Sequence, residues 1–156
     1  MEISEFVSED LVLLDVQGKT KEEILKRVIE NLVQKRVELK NPERFYEEVL
    51  ERERLGGTGI GGGVAIPHAR TENVNRMIVT FSRIKEPVDF ESEDRLPVRL
   101  IFLIAVPIRG LKSYLTTLAK ISRMVRPEKA REMLLNAASP GEVISLIRQI
   151  ETEIMG

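Results

Sequence analysis

The apolar positions of this chain alternate between strand-like runs and helix-like stripes. Leu11-Val12-Leu13-Leu14 is a short unbroken apolar run, read as a buried strand. Thr20-Lys21-Glu22-Glu23 then has the form of a capping box. The helix it starts carries Ile24, Leu25, Val28, Leu32 and Val33 on one stripe. Asn41-Pro42 supplies an N-cap and a first-turn proline for a second helix. That helix is predicted to run to about Arg54, with Phe45, Val49 and Leu50 inward.

Strand signals dominate the middle of the chain. Val64-Ala65-Ile66 reads as a very short strand, and Met77-Ile78-Val79-Thr80-Phe81 as a longer one. Val98 to Val106 is apolar after Arg99, so it is expected at the sheet centre, covered on both faces. Three helices are predicted to follow. The first runs from about Ser113 to Val125 with Leu115, Leu118, Ala119 and either Ser122 or Ile121 inward. The second opens at Pro127, with Ala130, Met133 and Leu134 apolar. The third opens at the capping box Ser139-Pro140-Gly141-Glu142 and buries Val143, Leu146, Ile147 and Ile150. This alternation predicts an α/β fold, a sheet with helices on both faces.

Composition narrows the chemistry. At 156 residues, 42% hydrophobic and 31% charged, the chain is expected to form one domain spanning residues 1–156. A net charge of −1 predicts no general attraction to nucleic acid. No cysteine is present, which excludes disulfides, thiolate catalysis and cysteine-based zinc sites. The acidic start lacks a signal-peptide pattern and the longest apolar run is too short to span a bilayer, so a soluble, cytoplasmic protein is expected. A lone histidine with scattered carboxylates has no metal-ligand spacing.

Six of the ten glycines lie between Gly56 and Gly63, and the single histidine, His68, follows shortly after. A glycine-rich loop can expose backbone N–H groups to an anion. An imidazole at its end is both titratable and nucleophilic. Together they point to chemistry on a phosphate or another oxyanion. The loop lacks the nucleotide-binding fingerprints, so no nucleotide cofactor is expected.

The stretch Arg52-Glu53-Arg54-Leu55-Gly56-Gly57-Thr58-Gly59-Ile60-Gly61-Gly62-Gly63-Val64-Ala65-Ile66-Pro67-His68-Ala69-Arg70 resembles a known signature. It is similar to the type 2 enzyme IIA domains of the bacterial phosphotransferase system, the fructose–mannitol and nitrogen-regulatory group. Their pattern is Arg-Glu, a Thr-Gly loop, then Ala-Ile-Pro-His. Val88-Asp89-Phe90, Pro97, the apolar strand ending at Pro107, and Leu115 to Ile121 fall in the same order and spacing. The resemblance thus covers nearly the whole chain, with Arg52 to His68 its specific part.

The resemblance implies a three-layer domain with a mixed sheet of about five strands. It also implies that His68 takes a phosphoryl group from the histidine-containing phosphocarrier protein and passes it to a cysteine of a IIB component. Arg52 matches the arginine near the family's site and Thr58 its loop threonine. In one respect the chain departs: Tyr114 stands where many members carry a second histidine. In another, Gly62 stands where many carry an acidic or amide residue.

The expected site therefore holds His68 as the phosphorylated residue and Arg52 as a planar donor to phosphoryl oxygens. Thr58, Gly61, Gly62, Gly63 and Arg70 are expected to bind phosphate, with Tyr114 nearby. Arg70 reads equally well as a strand-edge surface charge. Ile108 and Leu111, flanking Arg109-Gly110, suit a docking surface or a simple loop anchor. No carboxylate in the motif is an obvious partner for the second ring nitrogen of His68, so a backbone carbonyl is expected there. The alternative function is a regulatory module whose phosphorylation state controls a partner protein.

Overall fold

A computed structural model describes residues 2–35 and 37–155. Two single 3-10 turns open it, at Ile3–Glu5 and Glu9–Leu11. Then come β1 (Val12–Val16), α1 (Lys21–Gln34), α2 (Pro42–Leu55), β2 (Gly59–Gly61), β3 (Val64–Ala65) and β4 (His68–Thr71). The chain continues through β5 (Ile78–Val88), β6 (Val98–Pro107), α3 (Leu111–Met124), α4 (Glu128–Asn136) and α5 (Pro140–Met155).

The helix starts follow from their caps. Thr20 accepts from the Glu23 N–H at 3.1 Å, and Glu23 reaches back to the Lys19 N–H at 2.9 Å. Asn41 accepts from the Arg44 N–H at 3.1 Å, with Pro42 in the first turn of α2. Ser139 accepts from the Glu142 N–H and Glu142 from the Ala138 N–H. Both capping boxes are built, their glutamates reaching one residue beyond the cap.

The strands form one mixed sheet in the order β1-β5-β6-β3-β2, with β4 also on β6. β1 runs parallel to β5, β3 and β4 parallel to β6, and the other pairs are antiparallel. β6 is central, as its apolar run predicts. Leu100, Phe102, Ile104 and Val106 face a core with α3, α4 and α5, while Ile101, Leu103 and Ala105 face a core with α1 and α2. This gives three layers.

Among the described residues six strands form where about five are expected. The glycine run is not an open loop. Gly62 and Gly63 take φ of +64° and +79° and close a two-residue hairpin turn between β2 and β3. Left-handed φ at both turn positions matches the twist of paired strands, and glycine adopts it at little cost.

Two inward assignments change. Val33, one step past Leu32 around the helix, lies at the margin of its stripe and is 48% exposed. In α3 the buried residues are Thr117, Lys120, Ile121 and Met124, whereas Leu115 and Ala119 are exposed. Apolarity alone misplaces this helix because its buried polar groups have partners. The Thr117 hydroxyl lies 3.3 Å from the Met77 sulfur, and Lys120 Nζ lies 3.6 Å from the carboxylate of Glu151 on α5.

Candidate functional site

β3 and β4 are two short segments along the same side of β6, joined through Ile66-Pro67. Proline fixes its own φ and carries no N–H, which suits a bend between two short strand segments. The chain rejoins β6 with His68 opposite Ile104, and the Ile104 N–H donates to the Pro67 carbonyl at 3.0 Å. Alternation along β4 sends Ala69 and Thr71 toward α2, where the Thr71 hydroxyl meets Glu48 at 2.6 Å. His68 and Arg70 therefore face the α3 side.

His68 is only 6% exposed, and its Nδ1 lies 2.7 Å from the Ile66 carbonyl oxygen. A carbonyl can only accept, so Nδ1 carries the hydrogen and Nε2 carries the lone pair. Nε2 has no hydrogen-bond partner among the described residues. The imidazole is held below the ordinary histidine pKa, chiefly by burial. The Ile66 carbonyl opposes that shift, Arg52 adds to it, and Glu53 opposes it. The ring is thus a neutral imidazole with one nucleophilic nitrogen free of protein partners.

Tyr114, in the first turn of α3, stands against this ring with centroids 5.2 Å apart and planes tilted by 53°. Arg52, in the last turn of α2, donates from Nη1 to the Gly56 carbonyl at 2.6 Å. Its charge is felt at His68. Arg70 donates from Nη2 to the Ile108 carbonyl at 2.5 Å. That bond ties β4 to the loop that enters α3.

The three turn glycines are not beside His68. Val64 pairs with Leu100 and His68 with Ile104, four residues apart along β6. At about 3.3 Å per residue that separation is about 13 Å. Gly61, Gly62 and Gly63 lie at the Val64 end, and the Gly62 N–H is taken by Asp94 at 2.9 Å. The expected anion cradle of turn amides is therefore not assembled around His68. Their glycine content serves the hairpin turn instead.

Thr58 is near the site but turned away from it. Its N–H and its hydroxyl both go to the carboxylate of Glu53, at 3.1 and 2.5 Å. Neither donor is offered toward the Nε2 side of His68. The sequence reading passes over Glu53, which is 4% exposed. A signal was there. Glu53 follows Phe45 and Val49 at steps of four on α2, and both of those are buried. The helical period itself places this glutamate inward.

Beside Tyr114 the surface is apolar. Ile108, Leu111 and Leu115 are 45%, 48% and 56% exposed. Leu111 and Leu115 lie one turn apart on α3 and bracket Tyr114. The exposed Arg109 and Lys112 adjoin them. Among the described residues no group of three or more histidines or carboxylates could hold a metal ion, and none of the helices is long and apolar enough to cross a membrane.

The fold recurs in known proteins. The family described as phosphoenolpyruvate-dependent sugar phosphotransferase system, EIIA 2, matches residues 5–150. The fructose-specific EIIABC component of Bacillus subtilis (strain 168) is 34% identical over 149 residues, 96% of this chain and 23% of that protein. The chain thus spans about a quarter of that relative. The nitrogen regulatory protein of Bradyrhizobium diazoefficiens is 32% identical over 149 residues, 94% of this chain and 95% of that protein. Among solved structures, the nitrogen regulatory protein IIA-Ntr of Neisseria meningitidis superposes with a TM-score of 0.87 at 31% identity, covering 93% of this chain and 98% of that one. The mannitol IIA enzyme of Escherichia coli, in a complex with phosphorylated IIB, gives a TM-score of 0.77 at 25% identity over 91% and 96% of the two chains. With the match running from β1 through most of α5, this chain belongs to the type 2 EIIA family of the phosphotransferase system.

Proposed function

We propose that this protein is a phosphocarrier whose site is His68 Nε2. The reading rests on one observation above all: a buried, neutral imidazole has its tautomer set by the Ile66 carbonyl and its other nitrogen without a protein partner. The Nε2 lone pair attacks the phosphorus of a phosphohistidine on the histidine-containing carrier protein. A new N–P bond forms as the old one breaks, and the donor imidazole leaves with the electron pair. In the second step the thiolate of a IIB cysteine attacks, and His68 leaves as neutral imidazole. No proton has to move on His68 in either direction, because Nδ1 keeps its hydrogen throughout.

Phosphoryl transfer asks a protein mainly for positioning and for charge to meet the equatorial oxygens. Arg52 supplies the charge and Tyr114 a phenolic hydroxyl. The exposed Ile108, Leu111 and Leu115 offer an apolar seat for a partner whose reacting atom must reach His68. The structural likeness to an IIA enzyme solved together with phosphorylated IIB supports a IIB component as such a partner. All these steps suit the cytoplasm, where the donor and IIB domains meet.

A regulatory role is the second reading. Relatives named nitrogen regulatory protein match this chain alongside a fructose-specific EIIA component. In that role the same phosphorylation would control a partner protein instead of feeding sugar uptake.

Incubation with enzyme I, carrier protein and phosphoenolpyruvate should place one acid-labile phosphate on the chain, and His68→Ala should take none. Unchanged labelling of His68→Ala would sink the proposal. Capture of a IIB protein supports transport, while capture of a kinase, channel or transcription factor supports regulation.

A further inference from the structure

We infer that Glu53 is a positioning residue for His68, acting through Thr58 and the Ile66 carbonyl. Four hydrogen bonds connect the carboxylate to the imidazole. Glu53 accepts from the Thr58 N–H at 3.1 Å and from its hydroxyl at 2.5 Å. The Thr58 carbonyl accepts from the Ile66 N–H at 3.0 Å. The Ile66 carbonyl accepts from His68 Nδ1 at 2.7 Å.

Each link constrains the next. A carboxylate has two acceptor oxygens, and here each takes one donor of the same threonine, which fixes that residue in both position and rotation. Its carbonyl then pins the Ile66 amide. On the far side the Pro67 carbonyl is pinned by the Ile104 N–H. The Ile66–Pro67 peptide lies between these two anchors. Having no N–H of its own, it presents only a carbonyl, and that carbonyl faces Nδ1. The tautomer of His68 is therefore set by a carbonyl whose aim depends on Glu53. Burial sharpens this dependence, since Glu53, Thr58 and His68 are all nearly closed to water, which cannot replace a lost bond. Lys21 Nζ, 3.6 Å from Glu53, balances the carboxylate from α1.

A glutamine at this position keeps the shape and supplies only one acceptor oxygen. With its oxygen on the Thr58 N–H, its amide nitrogen faces the Thr58 hydroxyl, which must reverse and accept, so a charge-assisted bond gives way to a weaker neutral one and the threonine is held less firmly. The kinetic consequence rests on the phosphocarrier reading; the tautomer does not.

The test uses the full chain with nitrogen-15-labelled histidine. Long-range proton–nitrogen correlation reads the His68 tautomer directly, with no phosphoryl donor present. The wild-type ring should be almost wholly Nδ1–H at neutral pH. Glu53→Gln should populate Nε2–H visibly and slow phosphorylation roughly tenfold, as expected for a catalytic nitrogen partly occupied and less well aimed. Thr58→Val, which keeps the N–H and removes the hydroxyl, should move the tautomer in the same direction. Thr58→Ser, which keeps both donors, should restore the wild-type spectrum. A slower Glu53→Gln with an unchanged tautomer would overturn the inference, since Glu53 would then act only on stability or charge. If Glu53→Gln fails to fold, Thr58→Val decides, and an unchanged tautomer there overturns it as well. Failure of the wild type to accept phosphate overturns the functional reading and leaves the tautomer measurement standing.

Discussion

The ring of Tyr114 lies 5.2 Å from that of His68, centre to centre, across the gap between α3 and the end of β4. The tyrosine thus occupies the neighbourhood that the family resemblance assigns to a second histidine. A phenol can donate one hydrogen bond to a phosphoryl oxygen. Loss of one neutral bond costs roughly 0.5–1.5 kcal/mol, so Tyr114→Phe should slow phosphorylation of His68 about tenfold or less. Rapid-quench labelling measures this. Complete loss of labelling would make the hydroxyl an essential donor.

Arg52 is expected to serve transfer more than stability. Its hydrogen bond to the Gly56 carbonyl closes only the exposed end of α2. Arg52→Lys keeps the charge felt at His68 and loses the planar fork. Transfer should slow while Tm moves by only a few degrees. A wild-type transfer rate in this variant would remove Arg52 from the site.

His68 should make stability depend on pH in a definite direction. Burial is the main cause holding its pKa below the ordinary value of about 6.5. As pH falls through that value the unfolded chain takes up a proton that the folded protein still refuses. The unfolded state then binds more protons, so stability declines from about pH 6.5 down to the folded pKa. His68→Gln abolishes this contribution. The Tm gap between wild type and His68→Gln should therefore shift against the wild type between pH 8 and pH 5. A gap that stays constant over this range would contradict the assignment.

Gly62 should resist substitution. Its φ is +64°, and a Cβ there would meet the Arg131 guanidinium at 2.8 Å from Nε. Arg131 is itself held by the carbonyls of Val125 and Arg126 at the end of α3. Gly62→Ala should lower stability by roughly 1–3 kcal/mol in urea unfolding. The phosphorylation rate should hardly change, because the turn is remote from His68. A large loss of labelling with intact stability would return the turn to the active site.

Much of the fold was legible in local patterns. β6 was readable as central because an unbroken apolar run must be covered twice, and the caps at Thr20, Asn41 and Ser139 marked their helices. β2 and β4 were not, because Gly59–Gly61 and His68–Thr71 contain no apolar alternation and exist only through pairing with β3 and β6. The face of α3 was misread because Thr117 and Lys120 are buried by partners distant in sequence. At the site, the family resemblance implied Tyr114 near His68, and the two rings lie 5.2 Å apart. The glycines were misassigned because backbone N–H groups in a turn look available until a residue such as Asp94 is seen to claim one. Glu53 was set aside when no carboxylate was seen as an obvious partner for the imidazole, although its step of four from Val49 already pointed inward.

His68 is carried by a strand whose neighbour, β6, is sealed in both cores, and the Ile104 N–H locks the peptide just before it. Such backing leaves the nucleophile little room to travel. A relay with a fixed relay point cannot tell its donor from its acceptor by changing shape. In the proposed phosphocarrier role, the flow of phosphate through it would follow the phosphorylated fractions of the proteins that visit it.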